Sequence, residues 1–373
     1  MAGGGYYEFF AGGGMARAGL GAGWRCLLAN DLDAKKAAAY AANWGAEHLR
    51  VADVATLAAA DLPGVPDLVW ASFPCQDLSL AGAGAGLRGA RSGTFWPFWK
   101  LVTDLRAQGR APRLVVLENV VGALTSHGGR DFAAIGRALA EAGYRFGAVV
   151  ANAVDFLPQS RPRLFFVAVE DDGPLPEGLA ARRPLPRWHP PALVEARAGL
   201  KGWVWWRLPA PAPHGQSLAG VIEDTPSGVA WRAGAETERL LASMSPVNRA
   251  KVAAAQAAGG RHVGTVYKRT RAGVVRAEVR FDDVAGCLRT PAGGSSRQTL
   301  LLVEDGRVRS RLLSPREAAR LMGLPDSYRL PANYNEAYHL AGDGVAVPVV
   351  RFLAAHLLEP LLAAAPDRAR AAA

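Results

Sequence analysis

Three short segments of this chain carry side chains able to make and break bonds: Phe73-Pro74-Cys75-Gln76, Glu118-Asn119-Val120 and Gln159-Ser160-Arg161-Pro162-Arg163. A cysteine thiolate is a strong nucleophile, and Pro74 fixes φ and stiffens the backbone that presents Cys75. A carboxylate forced out of an apolar strand end can hold a proton, which makes Glu118 a candidate acid. Arginines at alternate positions of an extended segment point to one side, so Arg161 and Arg163 could pair with a carboxylate or a phosphate. Each segment alone has a plainer reading: an inert buried thiol, a helix-capping acid, a basic surface turn. A fourth segment, Phe10-Ala11-Gly12-Gly13-Gly14, has glycines that let backbone approach a ligand ahead of a helix N-terminus. A GxGxxG fingerprint would need glycine at position 17 and finds Arg17, which disfavours a nicotinamide or flavin cofactor. Asp31 and Asp53 follow the next two strands. Singly each reads as a cap or a surface charge; together with the glycine turn they describe an adenosine pocket.

These residues need a sheet to hold them. The first part of the chain alternates strand and helix signals, which predicts a doubly wound, mostly parallel α/β sheet. Strands are expected at 6–10, 24–29, 48–51, 67–71, 114–117, 145–151 and 164–169. Helices are expected at 15–20, 34–44, 95–106 and 132–142. Cys75 then lies just past the fourth strand and Glu118 at the end of the fifth, where open α/β sheets bind ligands. From Gly173 the sequence turns rich in proline, arginine and tryptophan with weak periodicity, which predicts a separate irregular domain with Trp203, Trp205 and Trp206 in its small core. Ser314-Pro315-Arg316-Glu317 opens a helix with serine as N-cap and glutamate three residues on. An amphipathic helix is expected at 347–362.

Composition narrows the partners. The 373 residues include 43 Lys+Arg against 33 Asp+Glu, a formal net charge of +10, which favours a polyanion. Arginine far outnumbers lysine, and a GC-rich coding sequence produces the same bias, so charge alone decides little. The three cysteines are far apart, without zinc-ligand spacing, so no structural metal is expected and a reducing compartment is. MAGGGYYEFF lacks the pattern of a secretion signal, and no apolar stretch reads as long enough to span a bilayer. A cytoplasmic protein is expected.

In combination the motifs resemble the DNA cytosine-5 methyltransferase family, in the family's order from Phe9 to Val350. FAGGG resembles its first motif, FPCQ its catalytic loop, ENV its catalytic carboxylate motif and QSRPR its QxRxR motif. REAARLMGLPDSY resembles the ninth motif and GDGV the tenth. The resemblance implies that Cys75 adds to carbon 6 of a cytosine flipped out of the duplex, and that Glu118 protonates ring N3. It implies that Arg163 orients Glu118 and binds the base, while Arg161 and Gln159 hold the catalytic loop; Pro74, Gln76 and Asn119 complete the catalytic motifs. The methyl donor is then S-adenosylmethionine. Phe10, Ala11, Gly12 and Gly14 would line its site, Asp31 would bind ribose, Asp53 the adenine amino group, and Val345 would close the pocket. Arg91 resembles a phosphate-contacting arginine.

The expected catalytic domain is 1–172 plus 330–373, and the expected target recognition domain is 173–329, including the ninth-motif helix. Lys268, Arg269, Arg271, Arg297 and Gln298 are its candidate DNA contacts, since arginine and glutamine read guanine and adenine edges bidentately. The sequence departs from the family pattern at Met15, at Asp343, where asparagine is usual, and at Cys287, where a DNA-contacting threonine is common. The partner is double-stranded DNA, the enzyme a monomer, and a cognate restriction endonuclease could be encoded elsewhere. Two alternatives remain at this stage: the tRNA-methylating branch, whose Cys-Phe-Thr tripeptide is absent, and an inactive DNA-binding homologue.

Overall fold

Fully apolar strand runs become the middle of a sheet buried on both faces, and this chain has several. The computed structural model describes residues 4–74, 94–172, 175–271, 273–289 and 297–364. The chain divides into two compact units: 1–152 with 162–211 and 347–373, and 153–161 with 212–346.

In the first unit the elements run β1 (Gly5–Phe9), α1 (Met15–Leu20), β2 (Arg25–Asp31), α2 (Ala34–Trp44), β3 (Leu49–Val51), β4 (Leu68–Ala71), α3 (Phe95–Ala107), β5 (Leu114–Val120), α4 (Arg130–Glu141), β6 (Tyr144–Asn152) and β7 (Pro162–Glu170). The sheet order is β3-β2-β1-β4-β5-β7-β6. The first five strands are parallel, and β7 runs antiparallel between β5 and β6. Every residue of β1 and β4 is buried, which is why these runs do not alternate. On one face α3 buries Phe95, Phe98, Trp99, Val102 and Leu105, at the three- and four-residue spacing of one helix stripe. Asp33 starts α2 by accepting from the amides of Lys35 and Lys36.

The tryptophan-rich stretch packs within this compact unit. Strands β8 (Ala180–Ala181) and β9 (Trp205–Trp206) pair with each other, with α5 (Pro191–Ala196) between them. Phe146 donates its amide to Gly202 and accepts one from Val204 at 2.7 Å, and the Trp206 indole donates to Val167 O. Trp203 packs edge-on against Phe146. Strand β6 lies at the edge of the sheet, and the stretch around Trp203 covers its open hydrogen-bonding groups. The compact unit extends to residue 211.

The second unit holds α6 (Leu218–Val221), α7 (Gly234–Ala242), α8 (Pro246–Ala258), β10 (Arg261–Arg271), β11 (Val274–Arg280), β12 (Thr299–Glu304), β13 (Arg307–Leu312), α9 (Pro315–Arg320) and α10 (Tyr334–Asp343). Its four strands form an antiparallel sheet in the order β11-β10-β12-β13, more regular than the sequence pattern suggests. A small core joins Leu240 and Met244 of the α7 segment and Val252 of α8 to Val266, Val279, Leu301 and Val303 of the sheet. Helix α9 opens with the expected capping box between Ser314 and Glu317. Glu317 also takes a two-pronged bond from Arg311 at 2.6 and 2.7 Å, and both side chains are fully buried. Removing one buried charge strands the other, so Glu317→Gln is expected to cost about 3–5 kcal/mol in urea unfolding. The double change Arg311→Met/Glu317→Leu should cost clearly less.

The chain returns to the first unit in α11 (Val347–Leu353) and α12 (Glu359–Ala364), joined by a π-helical turn. Gly19 of α1 permits close crossing with α11, since a Cβ there would lie 2.4 Å from Val350 Cβ. The stretch Tyr334–Ala364 is long and apolar enough to cross a membrane by length and composition, contrary to the sequence reading. Half of its most apolar window is buried, as in core helices, and the helix breaks at Gly344, where ψ is 172°.

Candidate active site

The backbone turns sharply where β1 ends. Phe10 adopts φ 58°, a left-handed conformation rare for a bulky residue, and Gly12 and Gly14 follow at 56° and 75°. The turn is held from several sides. Ala11 donates to Asn30 O, and Gly14 to Ala11 O. Asp31, nearly buried, accepts from the Gly12 amide at 2.7 Å and from the Asp33 amide at 2.8 Å. The Trp44 indole donates to Gly13 O at 3.0 Å. Trp44 is a support that the sequence reading missed; a tryptophan closing α2 just before Gly45 was the available signal. A Cβ on Gly12 would meet nothing within 4 Å, so the outer side of the turn is open. Phe10 is half-buried and packs edge-on against Phe98. Asp53 is exposed and caps a short 3-10 turn by accepting from Ala55 N.

Strand β4 runs into Phe73 and Pro74. Phe73 is buried against Phe95, ring centres 5.3 Å apart. Cys75, Gln76 and Arg91 lie outside the described residues. On the neighbouring strand Asn119 is buried and donates to Phe73 O at 3.3 Å, while its Oδ1 accepts the Val120 amide. The ends of β4 and β5 are thus tied together beside the segment leading to Cys75. Glu118 is 6% exposed and forms an ion pair with Arg163, Nε to Oε1 at 3.2 Å. The antiparallel register supplies this pairing: Glu118 lies opposite Phe165, and Arg163 is two residues away on the same face of β7.

Arg161 and Gln159 belong to the second unit. Arg161 donates to Leu288 O, Gly342 O and Gly344 O at 2.6–3.0 Å and to Cys287 Sγ at 3.4 Å. Gln159 bonds Leu321 O and accepts the Leu288 amide. Strand β7 begins only at Pro162, so strict alternation does not extend back to Arg161. Val345 is buried in this unit, beyond Asp343 at the end of α10.

Among the candidate DNA contacts, Lys268 and Arg269 are exposed on β10; Arg271 ends that strand, and its side chain lies outside the description. Arg297 lies over the Tyr334 ring and bonds Asn335, beside a cavity of about 340 Å3. Gln298 is buried, donates to Val266 O and takes its place beside Tyr338 through its amide, so it braces the sheet. Arg276 was missed. It pairs directly across from Arg269, and Gly273 between two alternating runs was the signal for this hairpin.

The C-5 cytosine-specific DNA methylase family model matches residues 6–359. The chain belongs to that family. The enzyme therefore methylates carbon 5 of cytosine in DNA and takes the methyl group from S-adenosylmethionine. It is 27% identical over 365 residues to the Type II methyltransferase M.NlaX of Neisseria lactamica, covering 97% of this chain and 98% of that protein. It is 24% identical over 357 residues to M.HhaI of Haemophilus parahaemolyticus, covering 94% and 92%. A putative DNA modification methyltransferase encoded within an E. coli prophage matches with TM-score 0.60 at 17% identity, covering 96% of this chain and 99% of that one. The Dnmt2 methyltransferase of S. pombe matches with TM-score 0.59 at 17% identity, covering 96% and 98%. These two likenesses establish the Rossmann-like methyltransferase fold.

The methyltransferase's glycine turn fits its cofactor. The turn is open above Gly12, braced from behind by Trp44, and adjoins Asp31 at the next strand end.

Proposed function

We propose that this methyltransferase is a sequence-specific modification enzyme, prokaryotic or phage, acting as a monomer on double-stranded DNA in the cytoplasm, alone or beside a separately encoded restriction endonuclease. The observation that carries the catalytic assignment is the Glu118–Arg163 pair at the end of β5, tied through Asn119 to the segment before Cys75. In this reading Cys75, as its thiolate, forms a bond to carbon 6 of a flipped cytosine while Glu118 gives a proton to N3. That addition pushes electrons to carbon 5. S-adenosylmethionine, when bound, supplies an electrophilic methyl group there. A base removes the carbon-5 proton, the bond to Cys75 breaks, and the N3 proton returns to Glu118. Arg163 fixes the position of Glu118 throughout. Phe10, Ala11, Gly12, Gly14 and Asp31 would hold the cofactor, with Asp53 and Val345 as further candidates.

The 153–161 and 212–346 unit would read the DNA. Among the described residues β12 pairs with β10 as far as Val266, and 267–271 with 274–278 continue as a hairpin that is bridged to Met244 through Ala277. Arg269 and Arg276 lie opposite each other on one face, with Glu278 3.8 Å from Arg269 offsetting part of the like-charge repulsion, and a phosphate would offset more. A major groove admits such a two-stranded hairpin. Double replacement by alanine is expected to weaken DNA binding and lower the log–log salt slope by about one per lost phosphate contact, read by anisotropy across a salt series.

Bisulfite sequencing of plasmid DNA from a host without cytosine methylation tests the activity and finds the target together. The wild type should protect cytosines in one short context, and Cys75→Ser should protect none. Protection of no DNA by either soluble protein, with methylation of tRNA instead, would overturn the reading.

A further inference from the structure

Glu8 is an acid inside a sheet. It sits in the middle of β1 between Tyr7 and Phe9, is 2% exposed, and its Oε2 has no hydrogen-bond partner. The mechanism above makes no use of it. Backbone amides of Ala16 and Arg17, in the first turn of α1, are directed at its carboxyl. Glu8 therefore ties the strand before the glycine turn to the helix after it.

The charged and titratable groups facing it come from three elements: Arg17 of α1, Asp31 and Cys26 of β2, and Tyr40 of α2, with Tyr6 on its own strand. Arg17 is the one cation among these groups, and it is engaged elsewhere. Its Nη1 donates to Tyr40 Oη at 2.8 Å, and its guanidinium lies 5.2 Å from the Trp44 ring centre. Trp44 in turn holds Gly13 O. A charged Glu8 would draw Arg17 off Tyr40 and Trp44, and so loosen the brace behind the turn. A neutral Glu8 leaves that brace in place, and an unpartnered oxygen costs less when uncharged.

We propose that Glu8 is a positioning residue that works as a neutral carboxylic acid, and that losing its proton disorders the glycine turn and weakens cofactor binding. The proposal rests on the reading of that turn as the cofactor cradle. Burial, the largest influence, pushes the Glu8 carboxyl up to about 8; the Arg17 charge and the Arg17 and Ala16 amides oppose this, and the Asp31 charge adds to it. Burial also pushes the Cys26 thiol and both tyrosines up, which leaves Glu8 as the member of the cluster that titrates near neutrality.

The test is calorimetric binding of S-adenosylhomocysteine from pH 6.5 to 9.5 by the full chain, its Glu8→Gln variant and its Glu8→Ala variant. Glutamine mimics the protonated acid, so it should match the wild type at pH 6.5 and lose its pH step. The ratio of wild-type to Glu8→Gln Kd should climb to about thirtyfold at pH 9.5, as the competent fraction falls. Alanine, which loses both the hydrogen-bonding group and the side-chain volume, should bind weakly throughout.

A thermal scan gives a second readout without cofactor. A raised carboxyl stabilises the fold at low pH, and that stabilisation is lost as pH rises from the ordinary glutamate value through about 8. Wild-type Tm should fall relative to Glu8→Gln over that window. Should Glu8→Gln not fold, the infrared band of a protonated carboxyl group in the wild type at pH 7, vanishing above pH 8, carries the same information. Wild-type affinity that parallels Glu8→Gln at every pH, or no such band, overturns the proposal while leaving the cradle reading intact. Full cofactor binding by a Gly12→Val variant overturns the cradle reading, and the proposal with it.

Discussion

Glu118→Gln is expected to slow single-turnover methyl transfer by about a hundredfold to ten-thousandfold while leaving duplex binding within a few-fold of the wild type. Glutamine preserves the shape at the end of β5, where Glu118 is almost fully enclosed, and keeps an acceptor for Arg163. It lacks an acidic proton. Addition of Cys75 to carbon 6 would then leave negative charge on the ring with nothing to quench it, and the rate would fall at the chemical step. The effect belongs in kcat and not in KM, because nothing in ground-state binding needs the proton. Arg163→Lys should give a smaller loss, since an ammonium keeps the charge beside Glu118 but loses the planar fork. A Glu118→Gln rate within tenfold of the wild type would remove Glu118 from the chemistry.

Much of this site could be read in the chain because it sits on strands buried on both faces. Such strands announce themselves as unbroken apolar runs, so what ends one stands out: Glu118 after Leu114–Leu117, Asp31 as the last residue of β2, the Phe-Pro segment after β4. The ninth-motif helix was legible because its capping box is a local contact within four residues. What escaped was set by distant partners. Whether Trp203 and Trp206 serve one unit or the other depends on the open edge of β6 and on Val167 O, and periodicity carries no trace of either. Gln298 has the chemistry of a base reader, yet its amide is spent on Val266 O across the sheet. Arg161 and Arg163 are two residues apart and belong to different compact units because β7 begins between them. Glu8 hides for the opposite reason. The strand is expected to run through it, but an acid in a strand pattern usually faces solvent, and only burial shows that this one points into the protein.

Gly14→Val is expected to weaken S-adenosylhomocysteine binding by about thirtyfold to several thousandfold, through two separable costs. Gly14 holds φ 75°, a conformation that costs an L-residue about 1–2 kcal/mol, and more for a branched side chain. A Cβ there would also lie 2.4 Å from Trp44 Nε1 and 2.9 Å from Tyr40 Cε2, overlaps worth about 1–3 kcal/mol if the rings must shift. The sum, at 1.4 kcal/mol per tenfold, gives the range stated. The two costs part in a pair of variants. Gly14→Ala alone should carry both in milder form, whereas Gly14→Ala/Trp44→Ala relieves the overlap but also removes the indole that holds Gly13 O. If the indole matters only as an obstacle, the double variant binds better than Gly14→Ala; if it braces the turn, the double variant binds no better and Trp44→Ala alone already binds weakly. The hydrogen bond to Gly13 and the aromatic seat it gives Arg17 favour the second outcome. Calorimetric titration at pH 6.5, where Glu8 keeps its proton, reads both costs without interference from the buried acid.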